Sequence, residues 1–161
     1  MIELLNLEED AKKQIKKMIW THCINVKKTL CNELSESVVS IKDSVEGNDK
    51  SSAGDKHETS RENANQTLLI YGEQMKKAME DLMLLNMIKP EKMFTNVQLG
   101  ALVVLNGLVL YIADNLNQFP IKNVSVNIVS PNAPFVKQIL GKNVGFKFSF
   151  NNKEYQILEV F

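Results

Sequence analysis

The chain is poor in the residues that staple small secreted domains and in those that build metal or nucleophile sites. Its 161 residues include only two cysteines, four prolines, two histidines and one tryptophan. Cys23 and Cys31 lie on what reads as one helix, roughly 12 Å apart at the helical rise. That is beyond disulfide reach, and free thiols suit a reducing cytoplasm. Net charge is also missing, because 19 Lys and Arg offset 19 Asp and Glu. No bulk attraction then holds the chain to nucleic acid or an anionic membrane, and any such contact must be local. The opening Met1-Ile-Glu-Leu-Leu-Asn-Leu-Glu-Glu-Asp10 lacks the basic-then-apolar order of a signal peptide, so a cytoplasmic location is expected. There is no phosphate-cradling glycine loop, zinc-spaced cysteine set or serine-nucleophile motif.

One stretch, Val97 to Ala113, is nearly apolar enough to mimic a membrane span, but Asn106-Gly107 interrupts its centre. It is barely long enough to cross a bilayer. Asn-Gly between apolar runs is instead a strong hairpin signal, with both turn residues at positive φ. Two buried strands are expected here, and no membrane contact.

Helical periodicity dominates the first half. Ile19, Cys23, Val26, Leu30, Leu34, Val38, Ile41 and Val45 recur at steps of three and four, one stripe of a helix. Ala64, Leu68, Tyr71, Met75, Ala78, Leu82 and Leu85 repeat the spacing in the manner of a coiled coil. Folding the chain near Ser51 brings the stripes into register: Leu34 opposite Leu68, Val26 opposite Met75, Ile19 opposite Leu82. The expectation is an α+β protein. Residues 1–89 form a long antiparallel helical hairpin with its tip near 46–57. Residues 90–161 form a small, mostly antiparallel β domain with one short helix, the second helix ending before Pro90. In that domain Val124, Val126 and Ile128 alternate with polar residues, as do Phe146, Phe148 and Phe150, so both runs read as half-buried strands. Asn151-Asn152 turns into a last strand through Tyr155, Ile157 and Val160. Pro134 opens the short helix and Gly141 closes it.

Charge is unevenly spread along the helices. Ala11 to Cys31 carries six lysines (12, 13, 16, 17, 27 and 28) and no acid, whereas Asp43 to Glu62 carries six acids against three bases. Asp55 and Glu58 stand three apart at the expected start of the second helix, where both can face one way. Carboxylates there can hold a hydrated magnesium ion, though two cannot fill its shell, so a second macromolecule must supply the rest. Read without that partner, Asp55 is a helix cap and Glu58 a charge favourable to the first turn. His57 between them does not complete a zinc face.

Two groups of residues resemble the bacterial Gre transcript-cleavage factors. Gly54-Asp55-Lys56-His57-Glu58 looks like the Gly-Asp-x-x-Glu at the tip of the Gre hairpin. Ser130-Pro131-Asn-Ala-Pro134, then Ile139-Leu140-Gly141-Lys142-Asn143-Val144-Gly145 and Glu154-Tyr-Gln-Ile-Leu-Glu-Val160, resembles the Gre C-terminal signature. The resemblance implies an FKBP-like β domain docked on RNA polymerase and a hairpin passed down its secondary channel. Asp55 and Glu58 would then act in trans, sharing a magnesium with the polymerase while backtracked RNA is cut near its 3′ end, so the chain would be an accessory factor and not an enzyme, with no cofactor or small-molecule substrate of its own. Ser130, Pro131, Pro134, Gly141 and Lys142 would belong to the partner-binding domain, and the helical lysines could face RNA or polymerase. Thr59-Ser60-Arg61-Glu62 follows where family members usually continue Asn-Ala-Glu-Tyr, and Val136 and Phe146 stand where a glycine and an acid are usual. A non-cleaving relative that modulates polymerase from the same channel is the alternative. A prolyl isomerase, suggested by fold alone, and a coiled-coil adaptor are readings from other classes.

Overall fold

A computed structural model describes residues 7–48 and 54–161, with the side chains of 46–48, 54–58 and 60 outside the description. The protein is α+β: a long N-terminal helical region followed by a six-stranded mixed sheet. Helix α1 spans Glu9–Asn48 and α2 Gly54–Met87. Then come β1 (Leu102–Leu105), β2 (Leu108–Ile112), β3 (Phe119–Ile121), β4 (Val124–Val129), α3 (Pro134–Ile139), β5 (Lys147–Phe150) and β6 (Lys153–Val160). The strands lie in the order β3-β4-β2-β1-β6-β5. β2 and β4 pair in parallel, and every other pairing is antiparallel.

The chain forms two compact units. One comprises the described residues up to Ile24 together with Leu84–Phe161, and the other is Asn25–Met83. Within the first, β1 and β2 are buried on both faces, which explains their unbroken apolar sequence. Val103, Leu105, Leu110, Ile112 and Ile157 point to α3 and join Val136 and Ile139 in one core. The opposite face carries Val104, Tyr111, Val126 and Ile128, and the bases of the two long helices pack here. His22 meets the Phe119 ring at 4.9 Å, and Lys12 pairs with Glu159. The Trp20 indole donates to Leu85 O at 2.8 Å.

Two turns exchange their expected geometries. The β1–β2 loop is Asn106-Gly107 as anticipated, yet only Gly107 has positive φ, at 97°. Asn106 serves the sheet differently, since its side-chain amide donates to Glu154 O and accepts from Gln156 N. It thereby ties the turn to β6 where the β1–β6 register shifts between Val104 and Leu105. The pair of positive φ values that a type I′ turn needs occurs instead at Asn151 and Asn152, 49° and 61°, joining β5 to β6. Gly100 is required for a further reason. At φ 84°, an added Cβ would sit 2.8 Å from the Ile88 side chain.

The helical unit corrects the expected stripe. Leu34 and Ala78 are buried, but Val26 and Leu30 remain more than a third exposed, while Lys27 is 8% exposed. Its ammonium pairs with Asp81 at 2.8 Å. A lysine stem is apolar enough to line such a position when a carboxylate meets its head.

Candidate functional site

The tip acids are the residues on which the sequence argument leans most. Their positions belong to the first turns of α2, which begins at Gly54. The side chains of Asp55, His57 and Glu58 lie outside the described residues. So does the loop between the helices, and with it the cap expected at Asp55. Positions 55 and 58 stand three apart along the helix, a spacing that lets two carboxylates share a face. Among the described residues no group of three His, Cys, Asp or Glu side chains could hold a metal ion.

The five residues expected to meet a partner divide between the ends of α3. At its start, Ser130 O accepts from Ala133 N and its hydroxyl from Asn132 N at 3.2 Å, setting Pro134 at the first helical position. Pro131 lies inside this turn. At the far end Gly141 adopts φ 76°, and its N–H donates to Val97 O at 2.7 Å while Val97 N donates to Lys142 O. Six helical residues span about 9 Å, so these are two neighbouring loops rather than one cluster.

The helical lysines do not form the basic surface that the sequence suggests. Lys12 is tied to Glu159 and Lys27 to Asp81; Lys13 binds Glu9 at 2.6 Å, and Lys17 reaches Glu91 at 3.7 Å. Lys16 is fully buried. It donates to Lys92 O and stands 4.4 Å from the centroid of Phe94. Burial, with no carboxylate to offset it, pushes its pKa down to about 8. Lys28 keeps an exposed position. Neither a polymerase surface nor RNA can reach Lys16 or Lys27 without unpacking a helix, which corrects the expectation for those two.

The reverse holds in the sheet unit. From Asn115 to Lys153 there is no acidic residue, and Lys122, Lys137, Lys142, Lys147 and Lys153 lie in the interval. All five are exposed, and among the described residues none makes an ion pair. Beside them, Phe135 sets its edge against Phe148, Phe150 and Tyr155 at 5.0–5.2 Å. A count of acids along the second half of the sequence would have exposed the charge segregation; the spacing of lysines by itself did not.

Among the described residues the Tyr111 hydroxyl has no hydrogen-bond partner, and burial together with neighbouring Cys23 drives its pKa upward. Among the described residues, too, no helix is long and apolar enough to cross a membrane. Compared with models of known protein families, with curated proteins and with solved structures, the chain matches none.

Proposed function

We propose that this protein is a Gre-like elongation factor that binds RNA polymerase and stimulates the cleavage of backtracked transcript. On this reading α1 and α2 form an antiparallel hairpin, and the sheet with α3 is an FKBP-like docking domain. The observation that carries it is the match between motif and element boundary. Gly54-Asp55-x-x-Glu58 opens α2, and Ser130-Pro131-x-x-Pro134 opens α3, which Gly141 closes. Two ties between the long helices support the hairpin, Lys27 with Asp81 and Trp20 with Leu85.

The donor set at positions 55 and 58 suits a hard cation such as magnesium, but it is too small to own one. Asp55 and Glu58 would therefore hold the ion only together with polymerase carboxylates. Magnesium in such a shared site lowers the pKa of a bound water and steadies the phosphate charge. The chain contributes the two carboxylates and the helix that aims them; the hydrolysis belongs to the polymerase.

The test uses backtracked elongation complexes of the cognate polymerase with magnesium, and follows release of short 3′ RNA fragments. Intact protein should accelerate release, and Asp55→Ala/Glu58→Ala should abolish the acceleration while leaving polymerase binding unchanged. Binding without acceleration would favour the second reading, a channel-occupying regulator, which the unusual Thr59-Ser60 after Glu58 supports. Loss of polymerase binding altogether would remove both.

A further inference from the structure

The acid-free interval of the sheet unit and its aromatic row meet on the β5–β6 hairpin. Phe146 and Phe148 are nearly parallel, at 16° and 6.2 Å between centroids, and Phe148 and Tyr155 are also nearly parallel, at 24° and 5.4 Å. Each ring is half-buried; the inner parts pack on the core around Val136 and Ile157, which leaves the remainder at the surface. A lysine stands at each end of the row. The Lys142 ammonium lies 4.9 Å from the Phe146 centroid. Lys153 is the direct cross-strand partner of Phe150, so the two side chains leave the same face. From Phe146 to Phe150 the strand runs about 13 Å, and β5 is the outermost strand of the sheet, so among the described residues no strand pairs along its far side.

We propose that this face of the β5–β6 hairpin binds single-stranded nucleic acid. Lys142 and Lys153 make no ion pair among the described residues, and Glu154, paired with Ser149, leaves the other face of the hairpin, so the two lysines attract a phosphate backbone locally although the whole chain is neutral. The outer parts of these rings that Phe135 leaves uncovered offer surface on which unpaired bases stack without regard to sequence. An acidic peptide would use the lysines and leave the rings idle. A duplex would offer phosphates but keep its base faces covered. The combination fits a single strand, and the contact is independent of the acids at positions 55 and 58.

The experiment is fluorescence anisotropy of a labelled, mixed-sequence single-stranded RNA titrated with the intact chain at low and moderate salt. A duplex of the same sequence and polyglutamate serve as competitors. The single strand should bind with a clear salt dependence and resist both competitors. Lys142→Glu/Lys153→Glu should weaken binding about tenfold or more and flatten the salt slope. Phe146→Leu, which keeps an apolar side chain against the core, should weaken binding about fivefold or more with the salt slope unchanged. Circular dichroism of each variant checks that the fold is intact. Unchanged affinity in the folded charge-reversal variant overturns the proposal. Equal competition by duplex or polyglutamate also overturns it, leaving a general polyanion or acidic-protein surface.

Discussion

Two sets of lysines in this molecule carry the same formal charge and have opposite fates. Those on α1 are concentrated in sequence, and the fold uses most of them up: Lys12, Lys13, Lys17 and Lys27 each meet a carboxylate, and Lys16 is buried beside Phe94. Those of the sheet unit are spread thinly over 39 positions from 115 to 153 and remain exposed and unpaired among the described residues. Density of charge along a sequence therefore says little about the field a surface presents. What decides it is whether acids distant in sequence come close in space. Glu159 and Asp81 do so for α1, whereas among the described residues no carboxylate pairs with a lysine of the sheet interval.

The sharpest way to break this contrast is to take the carboxylate away from a committed lysine. Asp81→Ala removes the carboxylate that meets the nearly buried Lys27 ammonium and should cost about 3 kcal/mol, read by urea denaturation. A double-mutant cycle with Lys27→Met should recover much of that loss. If Asp81→Ala costs under about 0.5 kcal/mol, the pair is no more than a surface contact.

Lys16 tests burial without a carboxylate. Its pKa is about 8 in the folded protein against 10.5 for the free side chain, so between these values the unfolded chain binds the extra proton. Stability should rise as pH climbs from about 8 to 10.5, by on the order of 2 kcal/mol, and the penalty should be fully present below pH 8. Lys16→Met should flatten that part of the profile in chemical denaturation measured across the range. A slope identical to wild type would mean that the amine is solvated.

Smaller effects are expected at the surface. Lys17→Ala breaks a contact of 3.7 Å between side chains that are 62% and 74% exposed, and should shift stability by less than about 0.5 kcal/mol. Smallest of all, Lys137→Ala and Lys142→Ala should leave the urea midpoint within error. A marked destabilisation by either would show that a sheet-unit lysine is structurally committed after all.

The sequence made some of this legible for local reasons. The two strands around Asn106-Gly107 and the alternation in β4 and β5 follow from residue patterns only a few positions long. So do the bounds of α3, which depend on Pro134 and Gly141. The three-residue β3 escaped, because Pro120 weakens any strand signal and is tolerated there only since β3 is an edge. The parallel pairing of β2 with β4 was equally hidden, as it depends on where the intervening loop returns. Val26 and Leu30 read as seam residues because periodicity ranks leucine above lysine, and it cannot foresee that Asp81 will receive Lys27. Of the candidate sites, the tip motif is visible at once; the acid-free interval can be counted in the sequence, but which rings stand beside its lysines depends on the pairing of β5 with β6.

The tie between Lys12 and Glu159 has a further consequence in time. Their positions differ by 147 residues, so at ribosomal rates of 5–20 residues per second α1's base waits on the order of ten seconds or more for β6. Asn25–Met83 is continuous and can complete its contacts first. Meanwhile Ile19, Cys23 and Ile24, buried in the finished protein, have no sheet to cover them. A segment made well before the sheet is thus among the last to be sealed, and this window is where a folding helper would have its work.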